Sequence, residues 1–298
     1  MAEHGVLIGN HPLMRKVRRR IRAAAPTNLN IVIYGEAGTE KETAAWEMHK
    51  KSMRHPDRFI SVNCYQLLEA NKRYIASLFT SARGGTLFLN SIELLPLIIQ
   101  RELYRLLTNS KEPPLYSRKH KESGVRIIAG AESDASLRRQ EHDANFISRI
   151  QQFSIYIPPL RDRKSDFPLL FDYYFTVEME KRGYEDKPAV TEYVLQALAR
   201  HDWNGNIIEL RNTIEILVDL SSKEALDADV IPFIVPEDPM AFLENYFYQE
   251  ALEKADAYLI RRALEKADWN QTRAAKELQM TEGNIRRKMK KYRIVKPR

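Results

Sequence analysis

The apolar run Ile31-Val32-Ile33-Tyr34 is followed at once by Gly35-Glu36-Ala37-Gly38-Thr39-Glu40-Lys41-Glu42 and then by a helical pattern. Strand, glycine loop, lysine and helix in that order specify a nucleotide-binding P-loop, whose backbone N–H groups form a nest for phosphate. The residue before the lysine, however, is Glu40, where a nest needs glycine's dihedral freedom and bare backbone. A carboxylate about 4 Å from a phosphate charge costs roughly 4 kcal/mol at an effective dielectric of 20, about a thousandfold in affinity. Gly35, Gly38, Thr39, Lys41 and Glu42 therefore read as a vestigial phosphate loop. A coincidental glycine-rich turn is the alternative. Lys41 itself either holds a phosphate or sulfate weakly or is solvated or salt-bridged, for example by Glu40.

Around this loop, β-type runs at Ile31–Tyr34, Phe59–Val62, Thr86–Leu89, Val125–Ala129 and Phe153–Ile157 alternate with helical patterns such as Pro12–Ala24, Thr43–Met53 and Ile92–Leu107. That alternation predicts a parallel α/β sheet. After Pro158-Pro159 the strands stop, and helices near Asp166–Lys181, Thr191–His201 and Asn206–Leu220 suggest a small all-α domain. Prolines at 232, 236 and 239 mark a linker. Beyond it Leu252, Ala255, Leu259 and Ala263 form one apolar helical stripe.

No apolar run approaches the roughly 20 residues that span a bilayer, and the N-terminus lacks a signal-peptide core, so a cytoplasmic protein with no membrane partner is expected. A single cysteine, Cys64, excludes an internal disulfide and, without clustered partners, a metal site; a buried structural thiol is its expected role.

The net charge of +7 is unevenly distributed: from Arg261 to Arg298 there are 13 Lys and Arg against 4 Asp and Glu, while the preceding residues sum to −2. A concentrated basic terminus points to a polyanion, most often nucleic acid, with a solvated cationic tail as the alternative. Pattern supports the first. Asn270–Leu278 reads as a short capped helix, Gln279-Met280-Thr281 as a turn and Glu282 to about Tyr292 as a second helix. Ala274, Ala275, Leu278, Ile285 and Met289 supply small and apolar contacts, while Arg286, Arg287, Lys288, Lys290 and Lys291 stay outward. This is a helix-turn-helix with a basic recognition helix; an amphipathic surface helix is the bland alternative.

The segment Leu259–Ile294 closely resembles the DNA-binding domain of the Fis family through Asn270-Gln271-Thr272-Arg273-Ala274-Ala275 and Lys290-Lys291-Tyr292. The resemblance implies a homodimer on double-stranded DNA, with base-facing Thr281, Glu282 and Asn284 and phosphate contacts from Asn270, Thr272, Arg286 and Arg287. Arg273, Lys288, Lys290 and Lys291 complete the DNA-facing set. Glu282 stands where an arginine is common, so readout there would favour accepting from cytosine N4.

Residues from about Leu7 to Leu220 resemble the AAA+ domain of sigma-54-dependent transcriptional activators through Leu7-Ile8-Gly9, the phosphate loop, Val62-Asn63-Cys64, Gly84–Leu89, Pro158–Arg163 and Glu209-Leu210-Arg211-Asn212. In working relatives the strand ending at Leu89 is followed by Asp-Glu, for magnesium and for the attacking water; here Asn90-Ser91 follows. The sensor pair aligns with Ala131-Glu132, the lid arginine with Ile208, and the two arginine fingers with Asp143 and Arg149, so only Arg149 survives as a subunit-interface residue. A neighbour such as Glu93 or Glu132 replacing the missing acid is the alternative, but Glu93, two residues along the helix start, is expected to face elsewhere. The Gly-Ala-Phe-Thr-Gly-Ala loop that contacts sigma-54 in the family is absent, since Arg73–Arg83 runs straight through Leu78-Phe79-Thr80-Ser81-Ala82.

The fold expected is an α/β AAA+ P-loop domain with a parallel sheet (1–165), a small all-α lid (166–235), a linker (236–240) and an all-α Fis-like helix-turn-helix domain (241–298). The function expected is a DNA-binding transcription regulator with a pseudo-ATPase. No catalytic residue, metal or cofactor is expected, weak ATP or ADP binding is left open, direct sigma-54 contact is doubtful, and a higher oligomer or mixed ring with an intact AAA+ activator is anticipated. An ATP-dependent sigma-54 activator and a nucleoid-type structural DNA binder are the rivals.

Overall fold

A computed structural model of the chain describes residues 5–109, 124–138, 142–184, 190–220 and 260–294 apart from 265, 268, 279 and 293. The linker prolines and Leu252, Ala255 and Leu259 lie outside the described residues.

Five strands, β1 (Ile31–Tyr34), β2 (Phe59–Asn63), β3 (Thr86–Asn90), β4 (Arg126–Ala131) and β5 (Phe153–Tyr156), pair in parallel in the order β2-β3-β4-β1-β5. All four residues of β1 and all six of β4 are buried, as a strand covered on both faces requires. One face carries α1 (Pro12–Ala24) and α2 (Lys41–Lys50) over a core that includes Met14, Ile21, Ile33 and Met48. The other carries α3 (Lys72–Ser81), α4 (Leu97–Asn109), α5 (Asp134–Leu137) and α6 (Ala144–Ile150), with Ile75, Leu103 and Phe146 buried against Leu87 and Ile127.

Local chemistry sets the boundaries. Pro12 opens α1 at its first turn, where a missing N–H costs nothing, and Met14, Val17, Ile21 and Ala24 recur at helical spacing on its buried face. The single helix expected from Ile92 to Leu107 is broken: a 3-10 turn covers Ile92–Leu94, Leu95 is extended, and α4 starts only at Leu97. Pro96 explains the break, since it disfavours helical dihedrals at the residue before it and has no N–H to donate.

The chain divides into two compact units, residues 1–170 with 202–210 and residues 171–201 with 211–298. Helices α7 (Phe167–Lys181), α8 (Glu192–Arg200) and α9 (Asn206–Leu220) follow the sheet. Within the second unit Phe171 stacks on Phe175, and Arg182 ties Glu178 to Asp219. The helix-turn-helix consists of α10 (Gln271–Glu277) and α11 (Glu282–Lys291) over a separate small core of Ala263, Leu264, Ala274, Ala275 and Ile285, with Leu278 and Met289 packed against it. Asn270 and Thr281 cap the two helices, accepting from the backbone N–H of Arg273 at 3.1 Å and of Asn284 at 3.3 Å. No helix among the described residues is long and apolar enough to cross a membrane.

Candidate functional site: the phosphate loop and the recognition helix

In a parallel sheet the loops at the carboxyl ends of the strands converge on one crevice. Gly35 follows β1, Asn90 ends β3, Ala131 ends β4 and Ile157 follows β5, so the phosphate loop, the Asn90-Ser91 pair and Glu132 share that edge. Glu40 adopts a left-handed conformation, φ 70 and ψ 38, directly before α2. The loop therefore keeps the backbone path that glycine makes easy, at a strain of about 1–2 kcal/mol for a residue with a Cβ. Ser91 is likewise left-handed, at φ 56.

Lys41 turns back onto its own loop. Its Nζ donates to the Gly35 carbonyl at 2.6 Å and to the Glu36 carbonyl at 2.8 Å. Burial pulls the ammonium below the usual lysine range, opposed by the carboxylates of Glu93, Glu132 and Glu36. Glu93 thus corrects the expectation that it faces elsewhere: its charge acts on Lys41 and on the buried thiol of Cys64, which burial chiefly pushes up. Residue 93 lies in a 3-10 turn, Ile92–Leu94, where an α-helix was expected. One oxygen each of Asn90 and Glu93 is shielded from solvent and has no hydrogen-bond partner among the described residues. No group of three or more His, Cys, Asp or Glu placed to hold a metal occurs among the described residues.

The turn before α9 sits on the phosphate loop, within the same compact unit. Asn206, left-handed at φ 56, donates to the Ala37 carbonyl at 2.9 Å and to Glu36 Oε2 at 3.2 Å, while its Oδ1 accepts from the Leu160 N–H at 2.8 Å. The Ile207 N–H donates to the Gly38 carbonyl at 3.0 Å. Gly38 has φ 77, and a Cβ there would lie 2.2 Å from the Gly205 carbonyl oxygen, so glycine is obligatory. This docking was not visible in the sequence, where Gly205-Asn206 lies far from the phosphate loop. Ile208, expected from the sequence at the place of the lid arginine, is 58% exposed and apolar.

Glu36 completes the clamp through a bidentate pair with Arg161, one arm of which is 2.8 Å. That hydrogen bonding holds the Glu36 carboxyl below its ordinary range. With the folded value depressed, the stabilisation is present above the unfolded carboxylate value and is lost as pH falls through the folded one. Glu36→Gln is expected to lower stability at neutral pH by about 0.5 kcal/mol, discounted for a partly exposed pair. Melting curves of the two proteins should converge on acidification; a constant gap would contradict the pairing.

Asp143 and Arg149 lie on one short helix. Asp143 caps α6, accepting from the Asn145 and Phe146 N–H groups at 3.1 and 3.0 Å, and pairs with Arg101 at 3.6 Å. Arg149 is partly buried and is the penultimate residue of α6. At the other site, Arg286, Arg287, Lys290 and Lys291 are exposed on α11, as is Arg273 on α10. Arg287 donates to Asn284 Oδ1 at 2.8 Å, and Arg286 pairs with Glu282.

The sigma-54 interaction domain model matches residues 7–73 and 68–156, the AAA+ ATPase lid domain model residues 161–241, and the model described as bacterial regulatory protein, Fis family, residues 251–292. The C4-dicarboxylate transport transcriptional regulatory protein DctD of Rhizobium meliloti (strain 1021) is 31% identical over 228 residues, 70% of this chain and 49% of the relative. Regulatory protein LuxO of Vibrio cholerae is 28% identical over 326 residues, 97% of this chain and 61% of the relative. The chain spans about half the length of the first curated relatives it matches. In fold it is similar to the crystal structure of NtrX from Brucella abortus in complex with ATP, with a TM-score of 0.65 at 24% identity over 97% of this chain and 69% of that one. With a parallel five-stranded P-loop unit, a helical lid and a Fis-type helix-turn-helix in succession, this chain belongs to the family of sigma-54-dependent transcriptional regulators.

Proposed function

We propose that the chain is a DNA-binding transcription regulator whose AAA+ unit does not hydrolyse ATP and serves assembly or partner contact instead. One observation carries the reading: the loop lysine is held by the Gly35 and Glu36 carbonyls, amid the charges of Glu93, Glu132 and Glu36, where a triphosphate would need it. The donor set also fits nucleotide and magnesium poorly. Position 90 offers a neutral amide where a hard cation wants a carboxylate, and Glu40 adds a negative charge beside the nest. Ser91 cannot act as a carboxylate base, a role worth typically 10²–10⁴-fold.

Loss of the output lever supports the same reading. Helix α3 runs unbroken from Lys72 to Ser81 with Ile75 and Phe79 buried, and the family match breaks at residues 68–73. A chain without that loop has no evident grip on sigma-54. In this reading α11 binds double-stranded DNA, the C-terminal domain forms a homodimer, and Arg149 faces a neighbouring subunit in a homo-oligomer or a mixed ring with an intact relative. NtrX was crystallised with ATP, so weak ATP or ADP binding here without turnover is compatible with the proposal.

The purified full chain is expected to release phosphate from ATP and magnesium at the background rate, and to bind duplex with an affinity that falls steeply with salt. Turnover typical of intact relatives would overturn the reading. A second reading, an ATP-dependent activator, draws on the two carboxylates acting on Lys41. It requires turnover that Glu93→Gln or Glu132→Gln abolishes.

A further inference from the structure

At the start of the recognition helix one carboxylate joins both helices of the DNA-binding motif. Glu282 is the first residue of α11, directly after the Thr281 cap. Its Oε2 accepts from Thr272 Oγ1 at 3.0 Å, and its Oε1 pairs with Arg286 Nη2 one turn along the helix. Arg286 Nε donates in turn to Gln271 Oε1 at 2.9 Å. The first turn of α10 is thereby linked to the start of α11 through side chains. The other described acid of this motif, Glu277, is engaged elsewhere, with Lys266 at 3.3 Å.

Such an exposed network adds little to stability: the Arg286 side chain is 66% accessible. Its consequence is for binding. In a helix-turn-helix the first residues of the second helix meet base edges, while hydroxyls and cations beside them meet phosphates. Here the group at the base-facing position is an anion that occupies the neighbouring cation and the neighbouring hydroxyl.

We infer that Glu282 is a selectivity gate for the DNA contact: it holds Arg286 and Thr272 away from phosphate until its carboxylate meets an amino group on a base edge. The inference rests on the DNA-binding reading above. On an arbitrary duplex the carboxylate is brought towards phosphates with no donor to receive, so it opposes association while still holding Arg286. Where the major groove presents cytosine N4, the carboxylate accepts from the base, Arg286 is released to phosphate, and both groups end paired. Glu282 thus works as a repulsive element against wrong sequences, which is how specificity is commonly built.

The test uses the full chain as wild type, Glu282→Gln, Arg286→Ala and the double variant. Each is titrated against a random-sequence duplex and against a duplex selected by the wild type from a random pool, at several salt concentrations. Glutamine keeps an acceptor for Thr272, and melting temperature reads out folding. Glu282→Gln is expected to bind the random duplex about tenfold more tightly, since an exposed like charge near phosphate is removed. Its salt dependence should steepen by about 0.9 in the log–log slope, one added phosphate contact, and the preference for cytosine at one position of each half-site should fade. In the Arg286→Ala background the tightening should shrink to about threefold or less, because the coupled partner is gone.

Random-duplex binding no tighter in Glu282→Gln, or a tightening that persists in full without Arg286, would overturn the gate alone. Failure of all four proteins to bind any duplex at low salt would instead remove the DNA-binding reading on which it rests.

Discussion

Glu40→Gly is expected to raise the stability of the chain by about 1 kcal/mol and to leave ATP turnover at background. The gain comes from backbone strain: Glu40 is held at φ 70, a left-handed conformation that costs a residue with a Cβ about 1–2 kcal/mol, less the extra chain entropy that glycine loses on folding. Thermal melting measures it directly. The absence of turnover follows from arithmetic over independent defects. A missing base is worth about 10²–10⁴-fold and a missing arginine finger about 10³–10⁵-fold, and the proposed reading assigns these two losses to Ser91 and Asp143.

The triple variant Glu40→Gly, Asn90→Asp, Ser91→Glu should separate binding from hydrolysis. Repair of the phosphate and metal positions is expected to produce a melting shift with ATP and magnesium, equivalent to about 2.7 kcal/mol at a ligand concentration a hundred times Kd. Turnover should remain at least about a thousandfold below that of an intact relative, because in the proposed reading an acid, Asp143, which caps α6, stands at the position of one arginine finger. Appreciable hydrolysis by Glu40→Gly alone would mean that Glu93 or Glu132 already supplies the acid, and the pseudo-ATPase reading would fall.

Much of the scaffold follows from local pattern. Helix α1 begins and ends where Pro12 and its apolar spacing put it, and five β-branched runs became five parallel strands within one or two residues of their expected ends. The helix-turn-helix was equally readable, since its small residues at 274 and 275 and Ile285 are what two closely crossing helices bury. Contacts between distant segments were not. Asn206 lies 170 residues from Glu36, and no periodicity announces that its amide will meet the loop. The charge of Glu93 acts on Lys41 although the sequence placed it facing elsewhere, and a proline three residues later stands where the expected α-helix gives way to a 3-10 turn. The Glu282 network was out of reach for the same reason: Glu282 itself was singled out as a base-facing acid, but no local pattern shows that it meets Thr272 ten residues away. Periodic features are set by neighbours in sequence; the chemistry of a site is set by neighbours in space.

The stability of the α/β unit is expected to respond most to Arg126→Ala, with a loss of about 3–5 kcal/mol. Arg126 is fully buried at the start of β4, and all three of its nitrogens donate to main-chain oxygen: Nε to Leu29 at 2.9 Å, Nη1 to Ala25 at 3.1 Å and Nη2 to Ala24 at 2.8 Å. Ala24 and Ala25 end α1, so the guanidinium satisfies carbonyls that the helix itself leaves open and sits at the negative end of its dipole. Burial, with Arg54 nearby, pulls its pKa down to about 9, so the group is still charged at neutral pH. The cost of burying that charge is met by the three carbonyls; removing it takes the guanidinium donors from Leu29 and Ala25 in the interior, while the Ala24 carbonyl keeps the Thr27 N–H at 3.1 Å and the Thr27 hydroxyl at 2.7 Å. Arg126→Lys should recover only part of the loss, because an ammonium cannot reproduce the planar fork that reaches three acceptors at once. Calorimetry should show the transition of the α/β unit shifted down in both variants. Below that transition duplex binding should persist, since Ala274, Ala275 and Ile285 belong to a separate core. A loss under about 1 kcal/mol for Arg126→Ala would mean that water or a rearranged loop replaces the fork, and that α1, β1 and β4 are held in register under the phosphate loop by apolar packing alone.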